Sequence, residues 1–269
     1  MHYLKTARGL NWHYDIEGEG PPLLFIHGWG VNLRIWRQQS KHFAQSYRVI
    51  AIDLPGHGET TWQKISLKEM AEDVAAILKE LKITQVRIVA SSLGGLVALK
   101  LFDLEPSRIK CLVFVGSQPK FARSADYPYG LEVEKIHKLA SQLETDYQLM
   151  VNVFFRSLFT KQERETRRFK WIQTFRKADT IPDKIASLEF LQMLEKEDLR
   201  EVLARVNLPV QFINGREDHI CPPQLFEALA EKMSTARFDW FEECGHFPFL
   251  SKPHEFNLVL EKFLNGVKE

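Results

Sequence analysis

Short apolar runs alternate with amphipathic stretches along most of this chain. That alternation predicts helices packed on both faces of a mostly parallel sheet. Tyr3 to Ala7 and Leu10 to Ile16 predict a β-hairpin turning at Arg8-Gly9. Leu23-Leu24-Phe25-Ile26 and Val49-Ile50-Ala51-Ile52 are apolar throughout, as central parallel strands buried on both faces must be. Ser66 followed by Glu69 spells a capping box, and Leu67, Met70, Val74, Ile77, Leu78 and Leu81 then mark one helical face. Val86 to Ala90 runs into a small-residue turn and a second helical pattern from Leu93, and Leu112 to Val115 is another buried strand.

After that strand the rhythm stops. From about Pro119 to Asp198 the pattern is helical, rich in aromatic residues (Phe154, Phe155, Phe159, Phe169, Trp171, Phe175) and without a convincing strand. Alternation resumes with a strand Val210 to Ile213, a helix from Pro222, a strand Phe238 to Phe241 and a terminal helix from Pro253. The expected organisation is an α/β core of residues 1–118 and 199–269, with a helical lid, 119–198, inserted between sheet strands over the sheet's C-terminal edge.

Composition narrows the class. A chain of 269 residues suits one α/β core plus one sizeable insertion. No apolar run reaches the ~18–20 residues that span a bilayer, and Met1 to Thr6 lacks a signal peptide's apolar stretch. The expectation is a cytoplasmic, monomeric protein without membrane contact. Cys111, Cys221 and Cys244 lack C-x-x-C spacing, so neither a disulfide framework nor a zinc site is expected, and no other metal or organic cofactor is implied. The formal net charge is only +1, so charge arguments must be local.

The chemistry gathers at strand ends. Val89-Ala90-Ser91-Ser92-Leu93-Gly94-Gly95 joins a strand to a helix. A nucleophile elbow needs small residues two before and two after its serine, and Ala90 and Gly94 meet that demand around Ser92. Ala90 departs from the usual glycine, and by itself the run also fits a helix start with a serine cap. A serine hydroxyl needs a base to take its proton. His246, in Cys244-Gly245-His246-Phe247-Pro248 directly after the last expected strand, is placed for that. Asp218, in the loop after Val210 to Ile213, is the expected acid, with Glu217 as the alternative. Two donors must face the developing oxyanion: the backbone N–H of Trp29, in His27-Gly28-Trp29-Gly30, and that of Leu93. His27 and His57 are expected to shape loops.

These runs, with Asp53-Leu54-Pro55-Gly56-His57-Gly58 and His246-Phe247-Pro248-Phe249, resemble the α/β-hydrolase family. More narrowly they resemble its pimeloyl-acyl-carrier-protein methyl ester esterases of biotin synthesis. The resemblance covers nearly the whole chain and is weakest in the lid. It implies Ser92, Asp218 and His246 as a triad for carboxylic-ester hydrolysis, Trp29 and Leu93 as oxyanion donors, and Phe155 and Phe159 lining an acyl channel. Ser91 stands where those esterases carry a bulky aromatic, which is expected to widen the pocket.

Residues 161–177 carry seven basic side chains and two acids, a local charge of +5. Lys161, Arg164 and Arg168 follow helical spacing on one face, while Phe169, Ile172 and Phe175 or Arg176 mark another. Such a run is either a solvated face or a dock for an acidic acyl carrier protein through Arg164, Arg167 and Arg168. No nucleic-acid motif accompanies it. Rival functions are carbon–carbon bond hydrolysis of a ring-fission product, a broad short-chain esterase, and a hydrolase-fold ligand-binding protein.

Overall fold

The computed structural model describes residues 2–175 and 181–268, the side chain of Phe175 excepted. The strands are β1 (His2–Lys5), β2 (Asn11–Glu17), β3 (Pro22–Ile26), β4 (Arg48–Ile52), β5 (Val86–Ser91), β6 (Ile109–Val115), β7 (Val210–Gly215) and β8 (Arg237–Phe241). The helices are α1 (Arg37–Phe43), α2 (Leu67–Glu80), α3 (Leu93–Leu104), α4 (Val133–Thr145), α5 (Tyr147–Ser157), α6 (Lys161–Glu165), α7 (Arg167–Phe175), α8 (Lys184–Lys196), α9 (Arg200–Ala204), α10 (Pro223–Lys232), α11 (Pro248–Ser251) and α12 (Pro253–Leu264).

All eight strands form one sheet in the order β1-β2-β4-β3-β5-β6-β7-β8. Pairing is parallel from β4 to β8, while β2 is antiparallel to both β1 and β4. The first strand ends earlier than its pattern predicts. Thr6 to Leu10 is taken up by the turn, where the Thr6 N–H donates to Leu10 O and Gly9 adopts φ +92°. In β5 every residue is buried, which explains why its sequence shows no polar alternation. Because these strands are parallel, the loops that follow β3, β4, β5, β7 and β8 all leave the same edge. His27, Asp53, Ser92, Asp218 and His246 are thereby collected at one end of the sheet.

Helices α4 to α8 lie between β6 and β7. The two ends of this segment meet: the Leu199 N–H donates to Pro119 O at 2.9 Å, and Lys120 Nζ pairs with Asp198 Oδ2 at 3.1 Å. The single basic helix suggested by the spacing of Lys161, Arg164 and Arg168 is instead two helices. Thr160 and Glu163 form a capping box that opens α6. Thr166 then turns extended (ψ 154°), its Oγ1 accepting from Phe169 N at 3.0 Å to start α7 afresh. The restart takes Arg168 off the face shared by Lys161 and Arg164. Phe169 and Ile172 are buried together, as their spacing predicts. Arg176 and Lys177 lie outside the described residues, as does the side chain of Phe175. No helix among the described residues is long and apolar enough to cross a membrane.

Candidate active site

Ser92 sits between β5 and α3 with φ +52° and ψ −122°, a conformation that costs a non-glycine residue ~1–3 kcal/mol. Its side chain makes no capping hydrogen bond to α3, so the run is a strained elbow rather than a serine-capped helix start. The strain is held from two sides: Ser92 N donates to Val115 O at 3.1 Å, and Ser117 Oγ donates to Ser92 O at 2.7 Å. A methyl group on Gly94 would lie 2.6 Å from His27 O, which is why the elbow requires a small residue there. Ser91, fully buried, is not among the residues lining the cavity beside Ser92.

The loop after β8 brings His246 against the loop after β7. His246 Nδ1 donates to Asp218 Oδ2 at 2.7 Å, with both residues only 2% exposed. The other carboxylate oxygen accepts from the N–H groups of Ile220 (2.8 Å) and Cys221 (3.1 Å), which orients the carboxylate. With Nδ1 committed, Nε2 is the ring nitrogen free to exchange a proton. Glu217 is exposed and its backbone N–H donates to Cys244 O, so of the two carboxylates it is Asp218 that meets His246. Asp218, Cys221 and His246 present ligand atoms within 4.8 Å of one another. The Asp218–His246 hydrogen bond already occupies two of those groups. Cys221 donates its Sγ–H to Gly116 O at 3.2 Å, and burial holds that thiol well above its usual pKa. This donor set suits an imidazole–carboxylate pair better than a cation.

The loop after β3 is clasped by two buried imidazoles. His27 Nδ1 donates to Gly28 O, and its Nε2 accepts from Leu54 N at 2.9 Å. His57 donates from Nδ1 to Pro55 O and accepts at Nε2 from Gly30 N. Burial lowers the pKa of both, that of His57 to about 3, so they act as neutral loop braces. Asp53 is braced as well: burial alone raises its pKa, but hydrogen bonds from His13 and from the Leu33 and Glu59 N–H groups outweigh it and hold the carboxyl low. Gly28 packs so closely that a Cβ there would lie 2.8 Å from Ser92 Cβ, which sets Trp29 beside the elbow. Leu93 opens α3, where N–H groups have no partner within the helix.

Ser92, His246 and Trp29 line one cavity of about 210 Å³. Its walls are mainly apolar, with Phe154, Leu158 and Leu194 from the insertion. Phe155 and Phe159 do not line it. They turn toward Phe247 and Phe169, forming an aromatic cluster with centroids 4.9–6.0 Å apart, whereas Phe154 meets Trp29 edge-on at 4.9 Å. Phe155 faces inward from α5, and Phe159, two residues past the helix's end at Ser157, packs with it, while Phe154, Ser157 and Leu158 face the cavity. A larger cavity of about 420 Å³ opens elsewhere, beside Tyr127, Arg200 and Met233, and contains none of Ser92, Asp218 or His246. Sequence reasoning missed His219 and Lys135, which add polar groups to the smaller cavity. Burial depresses the His219 pKa against the pull of Asp218. Its adjacency to Asp218 was the only signal available.

The basic residues divide. Arg164 donates to the carbonyls of Phe159 (3.1 Å) and Arg156 (3.2 Å). Arg168 donates to Leu250 O at 2.7 Å and to Gln38 Oε1, and stacks over Trp171 at 4.3 Å. Arg167 and Lys170 are exposed.

An eight-stranded, mostly parallel sheet with a serine elbow, a carboxylate loop and a histidine loop at one edge defines a class, and the sequence agrees. The profile of the alpha/beta hydrolase fold family matches residues 21–253, and the chain belongs to that family. Within it, the chain is similar to the pimeloyl-[acyl-carrier protein] methyl ester esterase of Nitrosomonas europaea, 33% identical over 91% of this chain and 96% of that one. It is also similar to the enzyme of that name from Aeromonas hydrophila, at 32% identity over 92% and 96%. Among solved structures, an esterase from Exiguobacterium antarcticum superposes with a TM-score of 0.90 at 25% identity, covering 98% of both chains. A bromoperoxidase from Bacillus anthracis (TM-score 0.87, 24% identity, 95% and 96% coverage) shares the fold.

Proposed function

We propose that this chain is a carboxylic-ester hydrolase working through Ser92, His246 and Asp218, and that its substrate is the methyl ester of pimeloyl-acyl carrier protein in biotin synthesis. The observation that carries the chemistry is the buried Asp218–His246 hydrogen bond, with His246 lining the same cavity as a strained Ser92. His246 Nε2 takes the Ser92 proton as Oγ attacks the ester carbonyl, and Asp218 stabilises the imidazolium that forms. The N–H groups of Trp29 and Leu93 receive the oxyanion. Collapse expels methanol, which takes the proton from His246; water, activated by the same imidazole, then hydrolyses the acyl-enzyme. No step draws on a metal or an organic cofactor.

Three features support the substrate. The relatives of about one-third identity carry that substrate in their names. The cavity, at about 210 Å³, is below the ~300–1,000 Å³ of drug-sized sites and suits a slender acyl chain. Phe154, Leu158 and Leu194, from the helices between β6 and β7, wall it as a lid would, and Arg167 and Lys170 are exposed for an acidic carrier. Replacing Ser92 with alanine is expected to lower turnover of short p-nitrophenyl esters by ~10⁴–10⁶-fold. Wild-type but not Ser92→Ala protein should restore growth without biotin to a strain lacking the pimeloyl-ester esterase. Ester turnover without complementation would leave the triad standing and remove the substrate.

A further inference from the structure

Two capping boxes in this protein look alike in sequence and differ in surroundings. Glu69 is half-buried at the surface, and its carboxylate serves its own N-cap residue, Ser66. Glu163 is 8% exposed, and its Oε2 accepts both from Thr160 N (2.6 Å), which closes the box, and from Gly245 N (3.0 Å), 82 residues away. The next amide is held by the same stretch of chain: His246 N donates to Leu158 O at 2.8 Å. Two consecutive N–H groups of the histidine loop are thus anchored by residues 158–163 of the helical insertion. The approach is tight, since a Cβ on Gly245 would lie 2.4 Å from Leu158 O and 3.1 Å from Glu163 Oε2. The carboxylate also faces the buried Cys244 thiol, whose pKa burial and Glu163 together push up. Burying a carboxylate costs stability that a cap nearer the solvent, such as Glu69, largely avoids.

We propose that Glu163 is a positioning residue for His246: its carboxylate holds the Gly245 amide and so fixes where the imidazole stands between Asp218 and Ser92. This rests on the triad reading above. The ring is bonded to the protein through Asp218 at one nitrogen, and its backbone sets the direction of the other. A displacement of ~1 Å at such a group can cost ~10²-fold in rate. The insertion is therefore part of the catalytic frame as well as a roof over the cavity.

The experiment compares Glu163→Ala, Glu163→Asp and Glu163→Gln in the full chain. The readouts are kcat and KM on p-nitrophenyl butyrate, the rate of Ser92 labelling by a fluorophosphonate, circular dichroism, and the downfield NMR proton between His246 and Asp218. Glutamine keeps an acceptor at the same reach, whereas aspartate falls one methylene short. The expected result is a kcat and labelling rate lowered about 10-fold or more in the alanine and aspartate variants, at nearly constant KM. The downfield proton should be lost or broadened in the aspartate variant, and glutamine should restore most of the rate. A folded aspartate variant that labels as fast as wild type would overturn the proposal, as would a glutamine variant as slow as aspartate. Should the alanine variant not fold, the aspartate–glutamine pair decides alone. Wild-type protein that fails to label at Ser92 would instead overturn the triad on which the proposal stands.

Discussion

Ser92 holds a left-handed backbone that only its surroundings impose, and single neighbours decide whether it works. Gly28 is the sharpest case, because a methyl group there would press on Ser92 Cβ at 2.8 Å and Ser91 O at 3.1 Å. Gly28→Ala should fold and lose ~10–100-fold in kcat, since it displaces the loop after β3, proposed to present the Trp29 N–H, rather than the core. Neighbouring phenylalanines should separate in the same way. Phe154→Ala is expected to raise KM for longer acyl esters several-fold, because it opens the cavity wall. Phe155→Ala should instead cost ~3–5 kcal/mol of stability, measured by urea denaturation, because its ring packs against Phe159 and Phe247.

At the scale of elements, the break between α6 and α7 matters more than the charge count across them. A continuous helix would have lined up Lys161, Arg164 and Arg168. The restart at Thr166 instead commits Arg164 and Arg168 to carbonyls of the protein itself and leaves Arg167 and Lys170 outward. Reversing Arg167 and Lys170 to glutamate together should raise KM for an acyl-carrier-protein ester ~10-fold and leave p-nitrophenyl esters unchanged. Arg168→Glu should fail differently, lowering Tm and affecting both substrates, because it strips Leu250 O and Gln38 of their donor. Equal effects of the two changes on both substrates would remove the docking surface.

For the whole molecule, the buried polar braces tie stability to pH. His57 has a pKa lowered to about 3 by burial, and His27 shifts the same way. Between that value and ~6.5 the unfolded chain binds a proton that the folded one refuses, so stability rises with pH across this window. From His57 alone the expected slope is at most ~1.4 kcal/mol per pH unit, complete above ~6.5. Asp53, held below its ordinary value, adds stability that is present above ~4 and lost as pH falls through its folded pKa. Urea midpoints measured from pH 4.5 to 7.5 should fall steeply on the acid side, and His57→Gln should flatten that slope. An unchanged slope would mean that the imidazole is protonated in the fold.

The sequence by itself determined the local and periodic features. Apolar runs specify strands because a parallel strand is buried on both faces, and Ser66 with Glu69 starts α2 because a capping box is closed within four residues. The sequence also determined the residue types and chain order at the strand ends. The tertiary structure decided whatever depends on residues far apart in sequence. Ser92 as an elbow rather than a cap needs β6 behind it, Asp218 rather than Glu217 needs the histidine loop, and Phe154 rather than Phe155 needs the rotation of α5 against Phe247. Glu163 reads as an ordinary cap until the fold brings Gly245 to its free side. A hydrogen bond across 82 residues leaves no periodicity in the sequence to detect.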